Sequence, residues 1–358
     1  MVRRQTRTVT VGNLKIGSDH PILVQSMTCT NTDDAAATIA QINELVEAGC
    51  EMVRVTVDTD KAADALPAII AACSVPIIAD IHFTHRLALR AIEAGVHKVR
   101  INPGNIGSDE RVREVVEAAK KANIAMRIGV NSGSVEKDLL EKYGYPSPQA
   151  LVDSAVRHCE NITALGFTNF VVSLKSTDTK TVVEANRLFA AQNDIPLHLG
   201  VTEAGRPGYG TIKSAVGLGP LLLEGIGDTI RVSLTGDPVP EIAVAFDILK
   251  SSGARVMGPE LISCPTCGRI DIDLEALMSE LEERLEGVTV PVKIAVLGCV
   301  VNGPGEAQEA DIGIAGGGGK GILYRDGKQK RVVPESEMVD ALLEEIADFQ
   351  KSQKALSE

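Results

Sequence analysis

The chain up to Gly253 alternates between short runs rich in β-branched residues and longer stretches with the apolar spacing of a helix. Eight runs have the composition of strands: ILVQSMT, EMVRVTV, PIIADIH, HKVRIN, AMRIGV, NFVVSLK, PLHLGVT and TIRVSLT. Several are preceded by a glycine placed as a helix C-cap, as in EAGCEMVRV, EAGVHKVRI and EGIGDTIRV. Eight such units predict an α/β fold of the (β/α)8 TIM type, with a doubly wound open sheet as the alternative.

The pattern changes after Gly253. DLEALMSELEERLEG is an amphipathic helix, VKIAVLG a strand, GILYRDGKQKRVV a hairpin and SEMVDALLEEIADFQ a closing helix. These elements predict a small α+β domain over residues 260–358, after a barrel over residues 1–252. The opening RTVTVGNLKIG predicts a further hairpin that covers the barrel floor.

Composition limits the class of protein. The chain has 358 residues, a net charge of −12 and a pI of about 5.1, which argues against a nucleic acid or an anionic membrane as partner. No apolar run is long enough for a membrane span or a signal peptide, so we expect a cytoplasmic protein. Seven cysteines without framework spacing favour thiols for metal binding or catalysis over disulfides.

Charged and polar side chains interrupt the predicted barrel strands. Barrel strands are buried on both faces, so these residues need an explanation. Most lie toward the carboxyl ends of the strands, where barrel enzymes have their active sites. The cationic positions are Arg54, Arg100, Arg127, Lys175 and Arg231, and the other polar positions are Asp80, His82, Asn102, Asn131, Glu203 and Ser233.

The cations outnumber the carboxylates in this set, which are only Asp80 and Glu203. An unpaired buried charge costs several kcal/mol, so the excess indicates an anionic ligand. Guanidinium groups bind phosphate through paired hydrogen bonds. The barrel mouth is therefore predicted to bind a small phosphate ester with several negative charges.

Three cysteines in the second domain are the candidate metal ligands. Cys264 and Cys267 form a CPTC pair, and Cys299 follows in GCVVNGPGE. No histidine follows His198 to complete a zinc site, and a redox pair would leave Cys299 unexplained. The three thiols fit a cubane iron–sulfur cluster whose fourth iron is held differently, with Glu306 as candidate fourth ligand. A zinc knuckle or a chance pair is the alternative.

A run of basic residues lies in the predicted hairpin of the small domain. Most such runs are solvated surfaces, and docking of an acidic electron carrier is the alternative. The residues concerned are Lys320, Arg325, Lys328, Lys330 and Arg331.

Nine motifs give the chain a close resemblance to the 4-hydroxy-3-methylbut-2-enyl diphosphate synthase family of the methylerythritol phosphate isoprenoid pathway. They are VQSMT, ADIHF, RINPGNIG, RIGVNSGSVEKDLLEKYG, PLHLGVTEAG, SAVGLG, EGIGDTIRVSLTGDP, CPTCGR and GCVVNGPGE. The resemblance implies reductive ring opening of 2-C-methyl-D-erythritol 2,4-cyclodiphosphate, with single electrons from reduced flavodoxin or ferredoxin. It also implies a homodimer in which subunits associate head to tail.

The resemblance assigns roles to individual residues. Cys264, Cys267, Cys299 and Glu306 are implied to ligate a 4Fe-4S cluster. The diphosphate is implied to be held by Arg54, Arg100, Arg127, Lys175, Arg231 and Ser233. Substrate positioning and proton handling are implied for Asp80, His82, Asn131, Glu203 and Asn302, with Glu203 as the acid.

Two other classes of function remain open at this stage. A Schiff-base aldolase would use Lys175 as the nucleophile and keep the metal domain as a structural part. A non-catalytic sensor would combine a metal module with a phosphate-binding barrel. Metal analysis and borohydride trapping distinguish these classes from the reductive enzyme.

Overall fold

The computed structural model describes residues 2–82 and 84–357. It divides into a first compact unit that ends at Arg255 and a second that begins at Val256. The first unit begins with an antiparallel hairpin of β1 (Val9–Val11) and β2 (Leu14–Ile16). Eight further strands follow: β3 Leu23–Met27, β4 Met52–Thr56, β5 Ile77–Asp80, β6 Lys98–Ile101, β7 Ala125–Asn131, β8 Phe170–Lys175, β9 His198–Leu199 and β10 Thr229–Ile230.

The eight strands form one parallel sheet. Its order is β8-β7-β6-β5-β4-β3-β10-β9, and a parallel bridge between Val172 and Leu197 brings β8 beside β9. The predicted (β/α)8 barrel is thereby confirmed. The seventh and eighth strands are shorter than their sequence patterns predict, because only two residues of each keep regular pairing.

Helices connect the strands and surround the sheet. They are α1 Ala35–Glu47, α2 Asp60–Ala72, α3 His85–Glu93, α4 Pro103–Ile106, α5 Asp109–Ala122, α6 Lys137–Tyr143, α7 Pro148–Ala164, α8 Thr179–Ala190, α9 Tyr209–Leu223 and α10 Pro240–Ser251. A short 3-10 helix spans Ser132–Ser134. Several helices begin where a side-chain oxygen accepts the N–H three residues on, as Asp34, Thr59, Ser147 and Asp178 do.

Strand alternation separates the two faces of the barrel wall. On β4, Val53 and Val55 pack with the helices in the large core cluster, whereas Met52 belongs to a separate cluster at the floor. That floor cluster joins the strand starts to the β1–β2 hairpin, and its members are Val9, Val11, Ile16, Leu23, Met52, Ile78, Ala125 and Val171. The predicted hairpin over the barrel floor is therefore confirmed, and the inward positions above it are left for polar residues.

The second unit has its own sheet and core. Its strands are β11 Pro259–Ser263, β12 Val292–Leu297, β13 Ile312–Gly317, β14 Lys320–Arg325 and β15 Lys328–Pro334, and they pair in that order. The first three are parallel and the last two antiparallel. Its helices are α11 Leu274–Arg284, α12 Gly303–Glu309 and α13 Met338–Ser357, with a 3-10 turn at Glu335–Glu337. This is the predicted α+β arrangement.

Among the helices of residues 2–82 and 84–357, none is both long enough and apolar enough to cross a bilayer.

Candidate active site

The inward-facing layer above the barrel floor is polar. Barrel interiors are ordinarily filled with branched apolar side chains. Here the strand register instead places Asp80 beside Arg100, and Arg100 beside Arg127. The buried polar side chains on the inward face of these strands are Gln25, Arg54, Asp80, Lys98, Arg100, Arg127, Ser173, Lys175, His198 and Thr229.

Asp80 is the carboxylate at the centre of the cationic group. Its Oδ1 accepts from Arg100 Nη1 at 3.1 Å, and its Oδ2 lies 3.5 Å from Arg54 Nε. His82 Nε2 lies 3.8 Å from the same Oδ2. Burial would raise the pKa of Asp80, but Arg54, Arg100 and Arg127 hold it well below its usual value. Asp80 is therefore ionised and pairs with two cations.

Arg127 is the most enclosed of the three arginines around Asp80, with 1% of its surface exposed. Its Nε and Nη1 have no hydrogen-bond partner, and neither does Nε of Arg100. Burial lowers the pKa of Arg127, and the neighbouring Arg54 and Arg100 lower it further. Buried guanidinium N–H groups without partners are costly, so this arrangement suits an anion that accepts from them.

Lys175 ends β8 and contacts a histidine. Its Nζ lies 3.2 Å from His198 Nε2, and His198 Nδ1 lies 2.8 Å from Thr229 Oγ1. Burial, together with Arg127 and Arg54, lowers the pKa of Lys175 well below its usual value. A Cβ at Gly200 would lie 2.7 Å from Lys175 Nζ, so that glycine makes room for the amine.

Arg231 directly follows β10 and reaches a carboxylate on a helix. Its Nε lies 3.5 Å from Glu241 Oε2, near the start of α10. Glu241, which is 2% exposed, is thus the second interior carboxylate, whereas Glu203 is exposed. The expectation that Asp80 and Glu203 supply the negative charge of the interior is corrected accordingly. Burial raises the pKa of Glu241, which Arg231 opposes.

Met27 lies between two of the guanidinium groups. Its Sδ is 2.9 Å from Arg54 Nη2 and 3.6 Å from Arg231 Nη1. A thioether is a weak acceptor and carries no charge, so these contacts leave both cations able to bind an anion. Burial lowers the pKa of Arg54 to about 10, against the opposing charge of Asp80.

The remaining predicted barrel residues lie at the rim. Asn102 is buried, donates to Ser134 Oγ at 2.6 Å and accepts from the N–H of Gly104. Asn131 ends β7, and Ser233 follows β10; both are half-buried. Glu203 has a φ of 53°, a left-handed conformation that non-glycine residues rarely adopt outside turns and functional sites.

Three interior residues were not singled out from the sequence as parts of the site. Lys98 is 1% exposed, and its Nζ lies 3.5 Å from Met52 Sδ. His198 is fully buried, and Glu241 pairs with Arg231. Lys98 is two residues from Arg100 on one strand, and His198 interrupts an apolar strand, so the pattern that identified Arg100 applies to them. Glu241 lies on a helix, where no strand pattern applies.

The barrel interior has an excess of positive charge. Two carboxylates, Asp80 and Glu241, face six cationic side chains: Arg54, Lys98, Arg100, Arg127, Lys175 and Arg231. Four of the positive charges therefore have no carboxylate to balance them. Such an enclosure can bind a compact polyanion, and paired guanidinium groups favour phosphate oxygens.

The thiols of the second unit lie after two neighbouring parallel strands. Cys264 follows β11, and Cys299 follows β12 by two residues. The loop after Cys264 is held against Gly298, whose N–H donates to Cys264 Sγ at 3.3 Å and whose carbonyl accepts from Asp271 at 2.9 Å. A Cβ at position 298 would lie 2.6 Å from Ile270, so only glycine fits under this loop.

The surroundings of the thiols favour thiolates. Backbone N–H groups of Asn302 and Val301 lower the pKa of Cys299. The backbone and side chain of Arg269 lower the pKa of Cys267, and the charge of Arg269 also acts on Cys299. Hydrogen bonds to sulfur are a feature of iron–sulfur sites, so these residues fit a cluster.

Glu306 lies in the first turn of α12, and Asn302 immediately precedes that helix; both are exposed. Within the described ranges, no three His, Cys, Asp or Glu side chains converge as the ligands of a single metal ion do. In a cubane cluster each ligand binds its own iron, so its ligands are not required to converge on one point.

The basic run of the small domain is largely paired. Arg331 bonds Glu344, and Lys330 Nζ and Arg325 Nη1 lie 3.8 and 3.6 Å from carboxylate oxygens of Glu345. Both acids lie on α13. Three of the five cations of the run thus share two carboxylates of this helix, and these pairs favour a structural role for Arg325, Lys330 and Arg331.

Comparison with known proteins identifies the family. Residues 6–246 match the family model of the GcpE TIM-barrel domain, and residues 260–348 match that of the GcpE protein C-terminal domain. The chain belongs to the GcpE family. The resemblance expected from the nine motifs is confirmed.

Curated relatives cover almost the whole chain. A protein of Aquifex aeolicus named 4-hydroxy-3-methylbut-2-en-1-yl diphosphate synthase (flavodoxin) is 56% identical over 98% of this chain and 98% of its own length. A Clostridium perfringens protein of the same name is 55% identical over 96% of this chain and 98% of its own length. Among solved structures, 3-dehydroquinate dehydratase from Geobacillus kaustophilus is 12% identical with a TM-score of 0.50, over 70% of this chain and 98% of that one. At that identity the likeness concerns the fold alone.

Proposed function

We propose that this GcpE-family chain catalyses the reductive ring opening of 2-C-methyl-D-erythritol 2,4-cyclodiphosphate to (E)-4-hydroxy-3-methylbut-2-enyl diphosphate. The reaction consumes two electrons and two protons, breaks a C–O bond to the diphosphate and releases one hydroxyl as water. The observation that carries the proposal is the buried group of cations around Arg127, whose guanidinium retains donors without partners. A cyclic diphosphate supplies the acceptors and the charge that this interior lacks.

The barrel, residues 1–252, is the substrate-binding domain in this proposal. Arg54, Arg100, Arg127, Lys175, Arg231 and Ser233 hold the diphosphate. Asp80 orients the guanidinium groups of Arg54 and Arg100. Its Oδ1 accepts a hydrogen bond from Arg100, and its Oδ2 lies beside Arg54. A pre-oriented guanidinium loses less side-chain entropy on binding a phosphate, so Asp80 contributes to affinity without contacting the anion.

Proton handling falls to groups at the rim. His82 and Asn131 position the organic part of the substrate, and Glu203 is the acid that protonates the departing hydroxyl. The resemblance assigns a positioning role to Asn302 as well, which belongs to the second unit. Glu203 is exposed on a loop after β9 and held at a positive φ. Barrel enzymes carry their catalytic groups on the loops that follow the strands, which is why the proton donor is assigned to this carboxyl group.

Residues 260–358 form the cluster domain in this proposal. Cys264, Cys267, Cys299 and Glu306 hold a 4Fe-4S cluster. When bound, that cluster supplies single electrons and an iron that acts as a Lewis acid on a substrate oxygen. The backbone N–H groups at Cys299 and the side chain of Arg269 stabilise the thiolate charge.

The partners follow from the same assignment. Reduced flavodoxin, or ferredoxin in its place, donates the electrons one at a time. The active unit is a homodimer in which the two copies associate head to tail. Sedimentation at several concentrations tests the dimer, and turnover with either reduced carrier tests the donor.

Anaerobic turnover of the cyclodiphosphate with a reduced carrier is the experiment that tests the reaction. Wild-type chain is expected to hold close to four irons and to form the linear diphosphate. Cys299→Ser is expected to lose both turnover and the brown colour of a bound iron–sulfur cluster. Cys159→Ser, at a buried thiol of the barrel, is expected to keep both. Full activity in an iron-free preparation would refute the proposal.

A Schiff-base reaction at Lys175 is the second candidate, because burial lowers the pKa of this amine and so favours its nucleophilic form. A Schiff base requires a carbonyl carbon, which the cyclodiphosphate lacks, so the test is borohydride treatment in the presence of a small phosphorylated ketone. Covalent trapping on Lys175 would support the aldolase hypothesis, and recovery of unmodified chain supports the reductive one.

A further inference from the structure

His198 occupies an enclosed position beside the anion site. The residue is fully buried on β9, and its register partner on β10 is Thr229. Both ring nitrogens have neighbours within hydrogen-bond distance: Thr229 Oγ1 at 2.8 Å from Nδ1 and Lys175 Nζ at 3.2 Å from Nε2. The imidazole therefore connects a strand hydroxyl to one of the cations that face the ligand.

We propose that His198 is a positioning residue that holds the Lys175 ammonium at the anion site by accepting one of its N–H groups. The inference rests on the proposed function, in that the ligand is the diphosphate. Thr229 in turn fixes the tautomer of His198. The hydroxyl oxygen of Thr229 accepts a hydrogen bond from the N–H at Nδ1, so Nε2 carries no hydrogen and can accept from Lys175.

The chemistry of the two side chains fixes these directions. An ammonium group has three donors and no acceptor, so a protonated Lys175 can bond only to an imidazole nitrogen without a hydrogen. A neutral ring that donates from Nδ1 provides that nitrogen at Nε2. The opposite tautomer fits only an uncharged amine. The position of the ring hydrogen is thereby coupled to the charge of Lys175.

The surrounding charges keep His198 neutral. Burial lowers its pKa well below the usual value, and the charges of Lys175, Arg127, Lys98 and Arg54 act in the same direction. Lys175 faces the same guanidinium groups, together with Arg231 and Arg100. The nearby carboxylates, Asp80 and Glu241, pair with arginines. His198 is thus the neutral group that accepts a hydrogen bond from the Lys175 ammonium and so stabilises its protonated form.

Gly200 completes the placement of the amine. A Cβ there would lie 2.7 Å from Lys175 Nζ and 2.9 Å from the carbonyl oxygen of Arg231. The amine is consequently confined between the imidazole and the Gly200 backbone. With one N–H given to His198, two remain for phosphate oxygens.

The test measures binding of inorganic diphosphate to the full-length, cluster-loaded chain by titration calorimetry between pH 6 and pH 9. His198→Leu removes the acceptor and is expected to weaken binding about 10- to 100-fold, the range of one charge-assisted hydrogen bond. The loss is expected to grow with pH, because the ammonium then releases its proton more readily. His198→Gln, which offers an amide oxygen, is expected to recover part of the affinity.

Thr229 provides the variants that leave the imidazole in place. Thr229→Val removes the hydroxyl with little change in shape and is expected to weaken binding about 3- to 10-fold with the same pH trend, whereas Thr229→Ser matches wild type. If His198→Leu does not fold, the comparison of Thr229→Val with Thr229→Ser still tests the role of His198. Equal affinity of Thr229→Val and wild type over the whole pH range would overturn the role of His198. Wild-type chain that fails to bind diphosphate would instead overturn the anion site itself.

Discussion

The guanidinium of Arg100 lies in the space that a side chain at Gly129 would take. A Cβ built at position 129 would be 2.7 Å from Arg100 Nε and 2.9 Å from Nη2. The two residues belong to neighbouring strands, β6 and β7, whose inward positions meet at the middle of the barrel. The glycine of RIGVN therefore serves a neighbouring cation rather than the conformation of its own backbone.

Gly129→Ala is expected to displace Arg100 and weaken binding of inorganic diphosphate about 10-fold or more, since a contact of 2.7 Å forces the guanidinium to shift. Gly133→Ala is the matched control, because a Cβ there has no heavy atom within 4 Å. Calorimetric titration of both variants measures the effect. Equal affinities would show that Arg100 does not contact the anion.

Asp80 is expected to stabilise the barrel through its two arginines. Asp80→Asn leaves buried cations without their counter-charge and is expected to lower the free energy of unfolding by about 3–5 kcal/mol. Urea unfolding of the variant and of wild type measures this difference in the free energy of unfolding. Asp64→Asn, at an exposed carboxylate that pairs with Arg90, is expected to cost at most about 1 kcal/mol.

Added diphosphate gives this prediction a second readout. A ligand that binds only the folded chain stabilises it, and in Asp80→Asn it also supplies negative charge near the unpaired arginines. Diphosphate is therefore expected to restore part of the lost stability in Asp80→Asn. An unchanged unfolding midpoint on addition of diphosphate would show that the folded variant does not bind the anion, and a gain no larger than that of wild type would place the anion away from these arginines.

The barrel was predictable because its determinants are local in the sequence. Each strand is recognisable in the sequence by its β-branched residues. The cations of the site interrupt such strands, as Arg100 and Arg127 do. Strand alternation then places their side chains on one face without knowledge of the partners. The thiols likewise follow strands that the pattern identifies, at Cys264 and Cys299.

The pairing of these charges was not predictable in the same way. Glu241 reaches Arg231 from the first turn of a helix, a contact that depends on how α10 packs on the barrel. The neutralisation of Arg331 and Lys330 by α13 depends on tertiary packing as well. Sequence patterns locate side chains on a face, whereas ion pairs between separate elements require their relative positions.

Lys175 is expected to make diphosphate binding dependent on pH. Burial and neighbouring cations lower its pKa in the free chain, and a bound polyanion raises it again. Binding is therefore accompanied by proton uptake, and affinity falls as pH rises through the lowered pKa. Calorimetry in buffers of different ionisation enthalpy measures the uptake. Lys175→Met is expected to bind diphosphate more weakly and without this proton uptake. If the variant takes up as many protons as wild type, Lys175 is not the group that is protonated.

The N-terminal segment is expected to stabilise the barrel from the face opposite the anion site. Arg4 Nη2 donates to the carbonyl oxygens of Asn193 and Ile195 at 2.9 and 2.6 Å, and its N–H donates to Gly225. These acceptors precede β9 and β10, the two shortest barrel strands. Arg4→Ala is expected to lower the free energy of unfolding by about 1.5–3 kcal/mol, because charged hydrogen bonds are lost.

Lys15→Ala, at an exposed position of β2, is the control for Arg4→Ala and is expected to change stability by less than about 0.5 kcal/mol. Urea unfolding compares the two variants, and titration with diphosphate shows whether the mouth is affected. The Arg4 contacts lie before β9 and β10, whereas Lys175 is at the carboxyl end of β8 and Arg231 follows β10, so affinity is expected to stay unchanged. Weaker diphosphate binding in Arg4→Ala at full stability would mean that the segment acts on the anion site itself.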